Sequence, residues 1–361
     1  MNLVARYPTI LLAWAGLLLF SVVMVGSAAV ALADAYLVKH LVYLALALIA
    51  FVICFAIPTN WWNQLYLLGW VVSLAIAVAV LVPGIGREVN GASRWISFGA
   101  FSLQAAEVAK FGLCIYLAGY LYRHADKLGD DPGVLLLPLF MVAVVGALIV
   151  AEPDLGSAVV IVAATVGVLF MAGAKLRYFF LFAVLGAGLL ALLIWDEPYR
   201  LQRMVAFLDP WAVQYGSGYQ LTQALIAFGR GEWLGLGLGE GIQKLFYLPE
   251  AHTDFIYAVV AEELGMIGAI LLAGVLAYLI VQLMKLAKQN LQEGKKFAGY
   301  SAYFLALTMA LQFLISLGVN TGVLPTKGLT LPFVSYGGNS LIIFCGMLGL
   351  VLRASADEDV S

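Results

Sequence analysis

An aspartate and a histidine stand just before a long apolar stretch in the second half of the chain. Asp254 and His252 belong to the run Leu-Pro-Glu-Ala-His-Thr-Asp-Phe, and the apolar stretch covers 254–284. If a helix begins near Thr253, Asp254 and Glu262 lie on one helix face, with the Asp254 carboxylate at the mouth of the membrane. A carboxylate half removed from water suits a general base. The alternative is an acid that only complements the positive end of the helix dipole.

An acid and a base lie three residues apart at the start of another apolar stretch. Glu107 and Lys110 occur in Gln-Ala-Ala-Glu-Val-Ala-Lys, so in a helix their side chains share a face and can form an ion pair. Ionisable residues at a membrane boundary usually face the bundle interior and mark a substrate path. A structural pair that holds this helix against its neighbours is an equal alternative.

Two acids flank a proline between two further apolar stretches. In Glu152-Pro-Asp154, the aspartate is placed to cap the following helix, because its side chain can accept backbone N–H groups there. Capping explains Glu152 less easily. Both acids are therefore candidates for a site as well as for local structure.

Basic residues accompany these acids in segments predicted to lie on the same side of the membrane. A guanidinium group can bind two phosphate oxygens at once, and a lysine ammonium binds phosphate as a point charge. Such a set of residues therefore suits a lipid ligand that carries phosphate. Solvated loop charge is the alternative for any single member. The set comprises Arg87, Arg94, Arg200, Arg203, Arg230, Lys244 and Lys327.

A glycine-rich run covers 235–241 and invites comparison with a dinucleotide-binding loop. That interpretation fails, because the run follows no predicted strand of a parallel sheet and lies outside the cytoplasm in the predicted topology. We expect these glycines to allow tight turns and close approach of the backbone.

The composition determines where all these residues must be placed. Of 361 residues, 63% are hydrophobic and only 11% are charged, and the mean hydropathy is +0.99. A soluble chain carries about 25% charged residues, so most of this surface faces something other than water. The net charge of −2 gives no basic surplus that would favour nucleic acid. The chain is therefore an integral membrane protein.

Apolar stretches of spanning length predict an all-α polytopic membrane protein with about ten transmembrane helices, organised as a single membrane domain over 1–361. The first stretch imitates a secretory signal peptide, but its 23 residues exceed the usual apolar region of about 7–15, so we expect an uncleaved first helix. The stretches are 10–32, 40–57, 64–82, 104–122, 134–151, 155–173, 179–195, 254–284, 298–318 and 338–352.

Positive charge predicts the orientation of these helices. The short loops 123–131, 175–177 and 285–296, with Arg6 and Arg353 near the two ends, carry ten of the 19 basic residues. They fall on one side if the helices alternate. The positive-inside rule makes that side the cytoplasm and places both termini there.

The opposite, outer side then receives the least ordinary segments. A large periplasmic loop covers 196–253, and two glycine-rich segments, 83–99 and 320–339, mix bending residues with aromatic and apolar ones. Non-helical backbone at membrane depth is tolerated where it is buried in protein or lines a watered cavity. We therefore expect re-entrant segments at the outer face that wall a cleft. Ordinary surface loops are the alternative.

Several motifs together resemble the SEDS family of peptidoglycan polymerases, and the resemblance runs through essentially the whole chain. Details of the motifs resemble the cell-division branch of that family more than the elongation branch. Where the family usually has Gln-Pro-Ser-Glu, this chain has Ala105 and Ala106 in place of the Pro-Ser pair, and Asn339 also departs from the family pattern. The motifs are Ala206-Phe-Leu-Asp-Pro-Trp211, Gly218-Tyr-Gln-Leu221, Gln243-Lys-Leu-Phe-Tyr-Leu-Pro-Glu-Ala-His-Thr-Asp-Phe255, Glu152-Pro-Asp-Leu-Gly156, Pro325-Thr-Lys-Gly-Leu-Thr-Leu-Pro332 and Ser335-Tyr-Gly-Gly338.

The resemblance implies a glycosyltransferase that joins the disaccharides of lipid II into glycan strands at the outer face of the membrane. It implies that Asp254 is the catalytic carboxylate. The departing pyrophosphate can be stabilised by a divalent cation held with the carboxylates. The resemblance does not specify the metal, for which Mg²⁺ and Mn²⁺ are the candidates. No organic cofactor is expected. The supporting or substrate-binding candidates are Glu107, Lys110, Glu152, Asp154, Arg200, Arg203, Lys244, His252 and Lys327.

The resemblance further implies partners and a place in the cell. The partners are lipid II with its undecaprenyl-pyrophosphate-linked glycan, a class B penicillin-binding transpeptidase, other division proteins and membrane lipid. The place is the bacterial inner membrane at the division septum. The rival function is a transporter that flips lipid II without chemistry, which would also need ionisable residues within the membrane and broken helices. No internal repeat of the kind found in many transporters is visible.

Overall fold

The computed structural model describes residues 6–30, 34–89, 92–99, 101–196 and 198–357. This part of the chain is mostly helical, with thirteen α-helices and one small sheet, so the predicted helical fold class is confirmed. The helices are α1 (Pro8–Ala28), α2 (Asp34–Ala56), α3 (Thr59–Gln64), α4 (Tyr66–Leu81), α5 (Ala105–His124), α6 (Pro132–Ala151), α7 (Leu155–Met171), α8 (Leu176–Asp196), α9 (Pro198–Leu208), α10 (Tyr219–Gly231), α11 (Ile256–Gln292), α12 (Lys296–Asn320) and α13 (Gly338–Ala356).

Each of the predicted spanning stretches coincides with a helix. Seven helices of the described chain, α1, α2, α6, α8, α11, α12 and α13, are long and apolar enough to cross a membrane. Two more, α4 and α7, are apolar but shorter, with 16 and 17 residues. The tenth candidate is α5, which carries Glu107 and Lys110 within its first two turns. The protein is therefore a multi-spanning membrane protein, and the number of ten spans stays a prediction.

The glycine-rich segment after α4 forms strands that the sequence did not predict. Strands β1 (Gly86–Val89), β2 (Ala92–Phe98) and β3 (Phe101–Gln104) make an antiparallel sheet in the order β1-β2-β3. The chain runs from β3 directly into α5. Ile96 is buried against Val80 and Ala105, so apolar packing joins the sheet to the helices on either side of it. This segment is thus a folded meander and not an irregular loop.

The predicted periplasmic loop 196–253 is also partly helical, because it contains α9 and α10. The chain packs as two compact units. The Asp254 unit comprises Met1–Val42, Leu181–Leu279 and Ala310–Gly337, and the Glu107 unit comprises Tyr43–Phe180, Ile280–Met309 and Gly338–Ser361. The prediction of a single domain over the whole chain stays a prediction.

Helix α5 is the centre of the Glu107 unit and is buried along most of its length. It packs closely against α4, where Gly69 and Gly112 face each other so tightly that a side chain on either glycine would overlap the other's carbonyl group. Helix α13 packs against α5 as well. Close helix packing through small residues is typical of membrane proteins.

Helix α11 is interrupted at Gly265, whose backbone angles are φ 69° and ψ −176°. This conformation is almost restricted to glycine. The loop after α10 lies against the interruption: the amide of Leu236 donates to the carbonyl of Glu262 at 3.0 Å, and the amide of Met266 donates to the carbonyl of Glu232 at 2.8 Å. The polar groups that the break removes from the helix ladder thus find partners in the loop.

The glycines of this loop allow that approach, as the sequence analysis expected. A side chain on Gly231 would overlap the backbone of Ala261, and one on Gly235 would overlap the backbone of Glu263. The glycine run therefore allows close contact between two backbone segments. It follows helix α10 and not a strand of a parallel sheet, so it is not a dinucleotide-binding loop.

We predict that Gly265→Ala destabilises the protein by about 3 kcal/mol, because the residue would adopt a strained conformation and its methyl group would overlap Trp233 and Gly235. The matched control is Gly274→Ala in the same helix, where nothing lies within 4 Å of the added methyl group. That change should leave stability equal or raised, because alanine favours a helix. Thermal unfolding in detergent measures both, and equal melting temperatures for the two variants would contradict the prediction.

Candidate active site

Asp254 lies in a non-helical turn. The sequence predicted that it would lie in the first turn of a helix, and this prediction is wrong. Residues 251–255 turn tightly, and α11 begins at Ile256. The carbonyl of Glu250 accepts hydrogen bonds from the amides of Thr253 and Phe255, both at 3.2 Å. Because these bonds form a turn, the helix begins only after it. The expectation that Asp254 and Glu262 share one helix face is therefore wrong. The Asp254 side chain is partly exposed.

The backbone just before Asp254 is held by the segment that precedes α13. The Ser335 hydroxyl donates to the carbonyl of Thr253 at 2.6 Å and accepts the amide of Leu331 at 2.8 Å. The amide of Tyr336 donates to the carbonyl of His252 at 2.9 Å. Two successive carbonyls are therefore fixed by a segment some 80 residues further along the chain.

Asn320 at the end of α12 holds the third carbonyl in this row. Its side-chain amide donates to the carbonyl of Asp254 at 2.9 Å and to that of Ser316 at 2.8 Å. Its side-chain oxygen accepts the amide of Ala258 at 3.1 Å, so it also caps α11. Sequence reasoning missed Asn320 as a site residue, since no local spacing connects it with Asp254.

The segment that carries Lys327 lies against the Asp254 carboxylate. A side-chain carbon placed on Gly328 would stand 3.1 Å from Asp254 Oδ2. Arg203 of α9 holds the same segment, because its guanidinium donates to the carbonyl of Thr326 at 2.9 Å. The structure thus brings the backbone next to Lys327 to the carboxylate, and Arg203 holds that segment. Arg200 belongs to α9 as well, and its side chain lies outside the described part of the structure.

His252 packs against two tyrosine rings, which also contact each other. The ring centroids of Tyr36 and Tyr336 lie 5.2 Å and 5.3 Å from that of the histidine. Burial lowers the pKa of His252 below its ordinary value, and the nearby Glu250 carboxylate opposes that shift. A lowered pKa favours a neutral imidazole at pH 7. His252 therefore supports the Asp254 turn as an uncharged group.

The Lys244 ammonium group is bound by protein groups and has a structural role. Lys244 was predicted as a phosphate contact, and the structure does not support that assignment. Its ammonium group is buried and donates to Glu263 at 2.5 Å, to the Ser27 hydroxyl at 2.8 Å and to the carbonyl of Gly239 at 2.7 Å. These three bonds use all three of its donors. Sequence reasoning missed Glu263 as the partner, although two adjacent acids in an apolar helix were a signal.

The neighbouring acid Glu262 is satisfied in the same way. Its carboxylate accepts the guanidinium of Arg230 at 3.1 Å and the backbone amides of Ile242 and Gln243. Paired and hydrogen-bonded carboxylates are tolerated in a low-dielectric interior. The loop between α10 and α11 is thus attached to α11 by charged groups as well as by backbone.

In the Glu107 unit, the predicted ion pair is present. Lys110 Nζ lies 2.7 Å from Glu107 Oε1, and both side chains are buried. The ammonium group also stands over the ring of Phe344 in α13, 5.1 Å from its centroid. The second oxygen of Glu107 is buried without a hydrogen-bond partner among the described residues.

The two acids of the Glu152-Pro-Asp154 turn have different environments. Asp154 caps α7 as predicted, since its carboxylate accepts the amide of Ser157 at 3.2 Å and the hydroxyl at 2.9 Å. Gln104 at the start of α5 donates to the same carboxylate at 3.2 Å. Arg94 of β2 donates to the carbonyl of Glu152, which ties the sheet to this turn.

The Glu152 side chain is fully buried, and neither carboxyl oxygen has a hydrogen-bond partner within the described chain. Burial, with a smaller contribution from the nearby Asp154, raises the pKa of Glu152 to about 8, although Arg94 opposes the shift. An isolated buried carboxylate is costly, so the group is held as a neutral acid.

The structure offers no protein cage for a divalent cation within its described ranges, where no group of three or more His, Cys, Asp or Glu side chains could hold a metal ion. Magnesium is often bound by only one or two carboxylates together with substrate phosphates. The predicted Mg²⁺ or Mn²⁺ therefore stays a prediction.

The fold and these sites define a class: multi-spanning membrane proteins that hold a carboxylate beside a basic segment. A family model described as a cell cycle protein, covering FtsW, RodA and SpoVE, matches residues 7–359. The chain belongs to this family.

Relatives with assigned names resemble the chain over most of its length. It is 46% identical over 342 residues to a probable peptidoglycan glycosyltransferase FtsW of Hahella chejuensis, which covers 93% of this chain and 86% of that protein. It is 47% identical over 317 residues to the protein of the same name from Pseudomonas fluorescens, over 88% of this chain and 78% of that protein.

Solved structures share the fold. A chain of a peptidoglycan synthase complex, described by its structural coordination of polymerization and crosslinking, matches with a TM-score of 0.81 and 28% identity over 98% of both chains. The rod shape determining protein RodA of Thermus thermophilus matches with a TM-score of 0.71 and 29% identity, over 97% of this chain and 96% of that one.

We predict that stability falls as pH rises through the range in which Glu152 ionises in the unfolded chain but not in the folded one. The folded pKa of about 8 lies above the ordinary value of 4.5, so the loss of stability runs between those two values. Glu152→Gln, which cannot ionise, should unfold with a smaller dependence on pH in thermal scans across that window. Glu240→Gln, at an exposed position, is the matched control and should keep the wild-type dependence. Identical dependence in all three proteins would contradict the assignment.

Proposed function

We propose that this chain is a peptidoglycan glycosyltransferase that polymerises lipid II into glycan strands at the outer face of the cytoplasmic membrane during cell division. Its family membership and the name shared by relatives with 46% and 47% identity support the activity. The site is assigned from one observation: the Asp254 carboxylate lies beside the segment 325–332. The backbone that carries it is fixed by hydrogen bonds to the three successive carbonyls of residues 252–254.

In the proposed reaction, Asp254 is the general base. It takes the proton from the acceptor sugar hydroxyl while that oxygen bonds to the anomeric carbon of the donor chain. The bond from that carbon to the pyrophosphate oxygen breaks, and undecaprenyl pyrophosphate leaves with the electron pair. Each turn of the reaction thus forms one glycosidic bond and leaves one proton on the carboxyl group.

The fixed backbone matters because a base must lie within hydrogen-bond reach of the proton that it removes. The bonds from Asn320, Ser335 and Tyr336 restrict the turn before any substrate binds. Preorganisation of this kind avoids rearrangement during the reaction.

Negative charge on the departing pyrophosphate requires cations nearby. Lys327 is our first candidate for contact with it, because its neighbour Gly328 lies against the Asp254 carboxylate. Arg200 in α9 is a second candidate, whereas Arg203 supports the segment 325–332 from the same helix. Lys244 supports the fold through Glu263.

The acids and the lysine of the Glu107 unit have supporting roles in this proposal. Glu107 and Lys110 neutralise each other, Asp154 caps α7, and Glu152 remains a neutral acid near pH 7. Residues that carry buried charge within a membrane protein are expected to serve its substrate path.

We also propose the partners and the place that the family suggests. A class B penicillin-binding transpeptidase would crosslink the strands that this chain makes, in line with the synthase complex whose polymerising and crosslinking activities are coordinated. The setting is the inner membrane at the division septum, with both termini in the cytoplasm and with other division proteins nearby.

The buried ion pairs Glu107–Lys110 and Lys244–Glu263 would also suit a lipid II transporter. An assay in detergent separates the two functions, because no sidedness exists there. Labelled lipid II is converted to glycan by a polymerase and left unchanged by a transporter.

We predict that Asp254→Asn lowers lipid II polymerisation by about 10²-fold or more, because the amide cannot accept the proton. The assay uses the purified chain with its transpeptidase in detergent. Glu240→Gln, which removes an exposed acid of the same periplasmic region, should polymerise at the wild-type rate. Normal polymerisation by Asp254→Asn would refute the proposed mechanism.

We predict that Asn320→Ala lowers kcat for polymerisation by about tenfold with little change in lipid II binding, because Asp254 loses its fixed position. Thr321→Ala is the matched control, since among the described residues the Thr321 hydroxyl donates to the carbonyls of Leu317 and Gly318 in α12 and not to the Asp254 turn. An unchanged kcat in a stably folded Asn320→Ala would remove the positioning role.

A further inference from the structure

A groove that the catalytic proposal does not use lies in the Glu107 unit between α4, α5 and α6. Its cavity volume is about 400 Å³. Its polar lining consists of Tyr66, Tyr116, Tyr120, His124 and Asp131, and we refer to it as the tyrosine groove. The remaining lining is mainly apolar and comes from α4 and α6.

The floor of the tyrosine groove is one face of α5. Tyr116, Tyr120 and His124 are spaced four residues apart, so they follow one another along the helix. The rings of Tyr120 and His124 stack at 4.5 Å, and those of Tyr66 and Tyr116 at 6.3 Å. The groove therefore presents a row of aromatic side chains.

The hydrogen-bonding groups of the groove are unequally satisfied. The hydroxyl of Tyr120 donates to the carbonyl of Val134 at 2.8 Å. The hydroxyl of Tyr116, a residue only 1% exposed, has no partner among the residues described. A buried hydroxyl without a partner costs free energy unless a ligand or water supplies one.

The groove has a carboxylate at its rim. Asp131 is exposed at its rim, and one of its oxygens accepts the amide of Gly133 at 2.8 Å. The nearby Arg123 is engaged elsewhere: its guanidinium donates to Asn63 at 2.7 Å and stands over the ring of Tyr66. A carboxylate beside aromatic rings is the arrangement that recognises an ammonium group.

We propose that the tyrosine groove binds an aminophospholipid, with its primary ammonium group at Asp131 and the tyrosine rings. The glycerol and upper acyl region lie along the apolar part of the groove, against Leu67, Leu137 and Met141. The groove lies at the end of α5 that leads into the loop 123–131, which contains Arg123 and Lys127 and which the positive-inside rule assigns to the cytoplasm. The ligand therefore comes from the headgroup level of the inner leaflet.

The tyrosine groove is separate from the Glu107–Lys110 pair. His124 follows Glu107 by 17 residues on the same helix, which corresponds to about 25 Å. The proposal does not depend on the glycosyltransferase reaction, and either one can fail without the other.

Native mass spectrometry of the full chain, stripped of lipid and titrated with phosphatidylethanolamine or phosphatidylglycerol, tests the proposal. We expect the wild type to retain phosphatidylethanolamine in preference. Asp131→Asn should weaken that binding by about tenfold and leave phosphatidylglycerol unchanged. The cap of α6 survives this change, because asparagine also accepts a backbone amide.

Asp130→Asn is the matched control, since it removes the same charge from an exposed neighbour that does not line the groove. Tyr116→Phe and Leu137→Trp provide independent variants, which remove the buried hydroxyl and fill the groove, and both should reduce phosphatidylethanolamine binding. Equal binding of the two lipids by the wild type would overturn the proposal. Equal effects of Asp130→Asn and Asp131→Asn would overturn it as well.

Discussion

One constraint governs the region around Asp254: backbone N–H and C=O groups that are removed from water need partners inside the protein. Helix α11 loses its own ladder at Gly265, and the loop 232–237 supplies the missing partners. The turn 251–255 meets the same requirement through bonds from 320–336. The stretch from this turn to the break is therefore held at both ends by hydrogen bonds to its backbone. The place of Asp254 follows from the hydrogen bonds that satisfy the backbone groups of its turn.

Buried charge is handled in two different ways in this protein. Glu107 and Glu263 are each paired with a lysine at hydrogen-bond distance, so the pair carries little net charge. Glu152 has no such partner and is kept neutral by a pKa near 8. Paired ions resist removal of either member, because the survivor would be an isolated buried charge. A neutral acid instead responds to pH, so Glu152 is a pH-sensitive group of its unit.

Features with local causes could be predicted from the sequence, and features with distant causes could not. The Glu107–Lys110 pair and the Asp154 cap follow from spacings of three residues, and both are present. The start of α11 was misplaced, because its cap comes from Asn320. Lys244 was assigned to a ligand, because its partner Glu263 lies 19 residues away, just before a helix break that apolar composition does not reveal. The sheet 86–104 escaped notice, since its strands are only four to seven residues long.

The hydrogen bonds that fix the Asp254 turn also set an order of events during biosynthesis. The glycine loop and the helix break that it supports lie within about 35 residues of each other, so they can associate soon after leaving the ribosome. The partners of the turn follow it by 66 and 82 residues. Translation must therefore pass α12 and the segment after it before the carboxylate acquires its final position. A nascent or truncated chain that ends before residue 320 inserts most of its helices but has no completed site.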